Sequence, residues 1–192
     1  MRDTDRLDAV LDETIALHER VRRGDVQPIV AAAAAIVAAL RGGGKLLVCG
    51  IGGSAADAQH VAAELVGRFQ RERPALAAIA LTTDTSVLTS LANDYAFDRV
   101  FARQIEALGK PGDVVLAIST SGASGNVVTA LAASRRLGLR TIALTGRDGG
   151  EVGRAAEIHV NVPSSSTARV QEVHRTLLHV ICELVENAFS AT

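Results

Sequence analysis

Five short apolar runs, each set off from the next by a stretch with helical spacing, constrain this chain more than any other feature. They fall at residues 46–49, 77–81, 114–118, 141–144 and 158–162. Short apolar strands alternating with helices form a parallel sheet, because a right-handed helical crossover returns the chain to pair in the same direction. The expected fold is α/β, a doubly wound five-stranded parallel sheet between helices. Such a sheet is buried on both faces and needs aliphatic residues. The chain has them: 48% of its 192 residues are hydrophobic and only 3% are aromatic.

Helical spacing is expected at about 5–22, 28–40, 54–69, 86–92, 98–108, 124–136 and 167–189. The first stretch carries a stripe of Leu7, Val10, Leu11, Ile15, Leu17 and Val21. The whole of 1–192 reads as one domain, with N-terminal helices in 1–41 and an α/β core in 45–192 that closes on a long helix. These helices exceed what one sheet must cover, so the stripe at 7–21 is expected to pack against another copy of the chain.

Charge and composition exclude several classes. Twenty Lys and Arg against 21 Asp and Glu leave a net charge of −1. That gives no field to draw the chain onto nucleic acid or an anionic membrane. Four Phe, one Tyr and no Trp make a poor base-stacking platform. The longest apolar run, residues 29–40, falls short of the ~20 residues that span a bilayer. The N-terminal residues alternate in charge and lack the apolar region of a signal peptide. Cys49 and Cys182, each in an apolar stretch, read as buried thiols of a reducing cytoplasm.

Two Gly/Ser loops follow the first and third runs, where an open parallel sheet binds its ligands. The first is Gly50-Ile51-Gly52-Gly53-Ser54. Its glycines let a ligand approach the backbone, and the helix start behind it favours an anion. The second places Ser119, Thr120, Ser121 and Ser124 before a helix. Hydroxyls, amide N–H groups and a helix dipole can hold a phosphate without Lys or Arg. Serine and glycine also cap helices and make turns, so the loops alone leave both readings open. Gly50-x-Gly52-x-x-Ala55 matches a dinucleotide fingerprint. No acidic residue ends the second run as that fingerprint requires, and no Walker loop occurs.

His60 and Glu64 lie four residues apart on the helix after the first loop, with Asp57 on the same side. They suit a metal site, an acid/base pair or an ordinary exposed contact. Gln171, His174 and His179 lie on the closing helix. Gln171 and His179 are ~12 Å apart along its axis and ~80° apart around it, a long reach for one ion. Asn93 and Asp94 end a helix, where Asn suits a C-cap.

Taken in order, GIGGSAADAQH, LTTDTS with AND, AISTSGAS, ALTGRDGG and VPSSSTARVQEVHRTLLHVICELVE resemble the phosphoheptose isomerases of the sugar isomerase (SIS) group. The likeness runs from about residue 40 to 189. It implies interconversion of sedoheptulose 7-phosphate and D-glycero-D-manno-heptose 7-phosphate by a cytoplasmic homotetramer with sites between subunits and a zinc ion. It assigns Ser119, Thr120, Ser121 and Ser124 to the phosphate. Ile51, Gly52, Gly53, Ser54, Asn93, Asp94 and Gln171 fall at sugar-contacting positions. Glu64 matches the base and His179 its acid/base partner, while His60, Glu64, Gln171 and His179 match zinc ligands. The sequence departs from the family pattern at Ile51, where Asn is usual, and at Ala168, near which relatives place Asp. The fold also has a non-catalytic relative, the DnaA initiator-associating protein, but Glu64 and His179 are both present here and favour catalysis.

Overall fold

The computed structural model describes residues 2–190. Two helices, α1 (Asp3–Arg23) and α2 (Gln27–Arg41), precede the sheet. The strands are β1 (Leu46–Gly50), β2 (Ala78–Ala80), β3 (Val114–Ser119), β4 (Arg140–Gly146) and β5 (Ile158–Val162). Between and after them come α3 (Gly53–Val66), α4 (Thr85–Asp94), α5 (Ala102–Leu108), α6 (Gly125–Arg136), α7 (Gly150–Ala155) and α8 (Thr167–Phe189). All strand pairs are parallel, in the order β2-β1-β3-β4-β5. The expected five-stranded sheet is therefore the one observed.

Side chains alternate across each strand and feed two cores. Leu46 and Val48 join α2, α3 and α8 on one face. Leu47 and Cys49 join α5, α6 and α7 on the other. Every residue of β1 and β3 is buried. Full burial of each Val or Leu contributes ~1.5–3 kcal/mol, so the centre of the sheet is the rigid frame on which the loops sit. At the amino-terminal ends of these strands, buried Asp113 ties β3 to β1. It accepts from the Lys45 and Lys110 N–H groups at 2.9 and 2.8 Å and from Lys45 Nζ at 2.6 Å. Burial pushes its carboxyl up, but these donors outweigh that and hold it below the usual carboxylate range.

Some expectations needed adjustment. The helix expected over 98–108 is a short 3-10 turn, Phe97–Arg99, followed by α5. Helix α3 ends at Val66, capped by Gly67, three residues before the limit expected. Asn93 is not a C-cap: it stays helical and Tyr95 takes that position. Helix α7, six residues long, has too little periodicity to be read from sequence. Both cysteines are free and buried, as expected. Among the described residues, no single helix is long and apolar enough to cross a membrane.

Helix α1 lies on α8 through Thr14, which donates to Glu172 Oε2 at 2.8 Å, and through the His18–Thr176 contact at 2.9 Å. Its apolar stripe is divided by this docking. Leu17 is buried, whereas Leu7, Leu11 and Ile15 are 57%, 51% and 59% exposed.

Candidate active site

Strand order reverses between β1 and β3, so the chain leaves the sheet centre in opposite directions. A crevice opens there at the carboxyl ends of the strands. Gly50 pairs with Ile118 across it, which sets both Gly/Ser loops side by side.

In the second loop, Ser119 Oγ lies 2.9 Å from Ser124 Oγ and 3.4 Å from Ser121 Oγ. Ser124 occupies the N-cap of α6 yet makes no side-chain cap bond. Its hydroxyl is turned to Ser119, which leaves the first N–H groups of α6 for an external acceptor. The Ser121 hydroxyl accepts from the Ala123 N–H at 3.2 Å. Gly122 has φ +69, and the next loop backs it directly, with Val152 N–H donating to its carbonyl at 2.9 Å. The Asp98 carboxylate flanks Gly125 at the same helix start.

The first loop crosses into α3 through Gly52, whose φ of +62 and ψ of −122 are closed to a residue with a Cβ. Ser54 is buried and its N–H donates to the Ile51 carbonyl at 3.1 Å. Ile51 is 40% exposed beside the crevice. The Asn93 amide donates to Asp94 at 2.9 Å, at the exposed end of α4.

Helices α3 and α8 run side by side in the same direction, and their side chains meet in rungs. The Gln171 amide lies so close to Gly53 that a Cβ there would overlap it. Arg175 donates to buried Asp57 at 2.6 Å. One turn further, His60 Nε2 and His179 Nε2 are 2.7 Å apart, one donating to the other. Glu64 Oε1 lies 3.5 Å from His60 Nε2. The structure thus brings His60, Glu64 and His179 together and leaves Gln171 at the rung nearest the first loop. His174 points away from them, buried, with Nε2 3.0 Å from the Thr145 carbonyl; burial holds its pKa below the usual value.

Sequence reasoning missed Arg73 and Glu186, which pack beneath this cluster. Glu186 follows His179 by seven residues, two helical turns, and that spacing was the available signal.

These features define a class. The chain belongs to the SIS domain family, whose model matches residues 11–146. Its relatives narrow the family to the phosphoheptose isomerases, to which this chain belongs. It is 54% identical over 180 residues to the phosphoheptose isomerase of a Roseiflexus species, covering 92% of this chain and 91% of that one. Identity is 58% over 162 residues to the enzyme of Aromatoleum aromaticum, covering 83% and 82%. The solved phosphoheptose isomerase of Neisseria gonorrhoeae superposes with a TM-score of 0.92 at 45% identity. That match covers 97% of this chain and all of the other.

Proposed function

We propose that the chain interconverts sedoheptulose 7-phosphate and D-glycero-D-manno-heptose 7-phosphate. The observation that carries the reading is the pairing of a hydroxyl cradle at the β3–α6 turn with a Glu–His–His cluster on α3 and α8. The cradle binds the 7-phosphate through Ser119, Thr120, Ser121, Ser124 and the α6 amides. A fixed phosphate end restricts where the carbonyl end can lie, which lowers the entropy cost of reaction. Gly52, Gly53, Ser54, Asn93, Asp94 and Gln171 border the sugar chain, with Ile51 at the mouth.

Glu64 takes a proton from C1, and the C1–H electrons form the enediol double bond as the C2 carbonyl oxygen gains a proton. Return of the proton to C2 yields the aldose. His179 carries the proton between the two oxygens.

The same cluster has the donor chemistry for zinc. Two imidazole nitrogens and a carboxylate oxygen are its usual ligands. Among the described residues, no three such side chains form a ready metal centre. The imidazole nitrogens touch at 2.7 Å. Two tetrahedral ligands at ~2.05 Å stand roughly 3.3 Å apart, so ligation asks the rings to part by about half an ångström. We assign His60, Glu64 and His179 to the ion; Gln171, the fourth expected ligand, sits two rungs away beside Gly53. Zinc, when bound, supplies Lewis-acid polarisation of the carbonyl.

Incubation with sedoheptulose 7-phosphate, followed by NMR, is expected to show an aldehyde-derived anomeric signal that weakens when a chelator is present. No aldose from the metal-replete protein overturns the reading.

The site is completed by a second copy in a homotetramer. Glu64 lies eleven residues along α3 from Gly53, ~16 Å of helix rise, which is longer than the carbonyl-to-phosphate span of a heptose ester. The exposed Leu7, Leu11 and Ile15 supply the apolar contact between copies. Co-expression of a Ser124→Ala chain with a Glu64→Gln chain is expected to restore activity that neither has alone. A monomer in sedimentation, or no restoration in a mixed assembly, refutes shared sites. The buried free thiols agree with a cytoplasmic location.

A further inference from the structure

The His60, Glu64 and His179 cluster rests on a second polar structure that the chemistry does not use. Arg73, in the segment between α3 and β2, directs its guanidinium at the end of α3. Nη2 donates to the Glu64 carbonyl at 2.6 Å. Nη1 donates to the carbonyls of Leu65, Gly67 and Pro74 at 2.7, 3.0 and 3.0 Å. A helix end leaves such carbonyls without internal partners. From α8, the Glu186 carboxylate accepts the N–H groups of Phe69, Gln70 and Arg71 at 2.8, 2.8 and 2.9 Å. Its Oε1 lies 3.6 Å from Arg73 Nε. Both side chains are shut off from water. Burial pushes the Glu186 carboxyl up, but the three N–H groups and Arg73 outweigh it and hold the pKa below the usual value.

We infer that Arg73, braced by Glu186, is a positioning residue for the isomerisation, setting where Glu64 stands relative to His179. The inference rests on the isomerase reading. Two connections carry it. Arg73 holds the peptide carbonyl of the base itself, in the last turn of α3, where a helix otherwise frays. Glu186 holds the backbone of Phe69, whose ring packs against that of His179 with centroids 5.4 Å apart. The pair therefore acts on both members of the proton-transfer couple, one through the main chain and one through ring packing. A misplacement of about 1 Å in such a couple can cost ~10²-fold in rate.

The test uses the full chain with Arg73→Lys and Glu186→Gln. Lysine keeps the charge opposite Glu186 but cannot fork across four carbonyls. For Arg73→Lys, kcat is expected to fall ~10–100-fold with KM for sedoheptulose 7-phosphate within about twofold, because the cradle is untouched. The 15N ring signals of His60 and His179 are expected to shift, a readout independent of turnover. Wild-type kcat and unshifted ring signals below the melting transition, with a lowered Tm alone, would overturn the inference. So would a rise in KM that accounts for the whole loss. If Arg73→Lys does not fold, Glu186→Gln decides by the same two readouts, since it leaves the α3 carbonyls partnered. A wild-type chain inert on sedoheptulose 7-phosphate sinks the isomerase reading, and the ring signals still judge the positioning.

Discussion

Glu64→Gln is expected to lower turnover by ~10²–10⁴-fold, the usual contribution of a positioned general base. Binding of a sugar-phosphate ester should stay within about threefold of wild type. Glutamine keeps the shape and a carbonyl acceptor near His60 Nε2, 3.5 Å away in the native chain, but has no lone pair basic enough to take a carbon-bound proton. The Glu64 side chain is about one-fifth exposed, so the substitution leaves no deeply buried charge unpaired and the fold should survive. The measurement is steady-state kinetics beside calorimetric titration with a non-isomerisable heptitol phosphate. Turnover close to wild type would remove Glu64 from the role of base, whereas loss of ester binding would place it in recognition.

Gly122→Ala is expected to damage both stability and phosphate binding. Residue 122 has φ +69, a region that costs an L-residue ~1–2 kcal/mol. The added Cβ would overlap the Gly149 carbonyl and stand 2.9 Å from the Gly150 nitrogen. Both are backbone atoms of the loop that supports the cradle, and neither can swing aside as a side-chain tip can. The loop must move, and with it Ser121 and the turn into α6. We expect a loss of ~2–4 kcal/mol in denaturant unfolding and a KM for the phosphate ester at least tenfold higher. Wild-type KM in a folded Gly122→Ala chain would show that this backbone does not shape the phosphate site.

Much of this arrangement could be read from the sequence, for identifiable reasons. Strands β1, β3, β4 and β5 are apolar runs closed by glycine or polar residues, and burial on both faces removes ambiguity. Strand β2 is three residues long at the sheet edge, and its expected bounds were one residue too wide at each end. The two loops were recognisable because hydroxyls and glycines crowd at strand ends, where few structural needs call for both. Asp98–Leu108 looked like one helix because its apolar residues keep helical spacing; the chain instead forms a 3-10 turn, Phe97–Arg99, and resumes as α5 after buried Val100 and Phe101. The meeting of His60 with His179 was not derivable. It brings together residues 119 apart in the chain, on two helices lying parallel in one register, which no local pattern encodes. Arg73 left no local pattern for the same reason, and Glu186 only its spacing from His179: their hydrogen-bond partners are backbone atoms, and main chain leaves no mark on composition.

The shared register of α3 and α8 also limits how such a protein can change over time. Contacts 53–171, 57–175 and 60–179 advance together along both helices. An inserted or deleted residue turns everything beyond it by ~100° and slides it ~1.5 Å. One such event between positions 53 and 64, or between 171 and 186, unmeshes the later contacts at a stroke. Lineages descending from this chain can therefore exchange side chains along these helices one at a time, but the lengths of the two segments can vary only in step with each other.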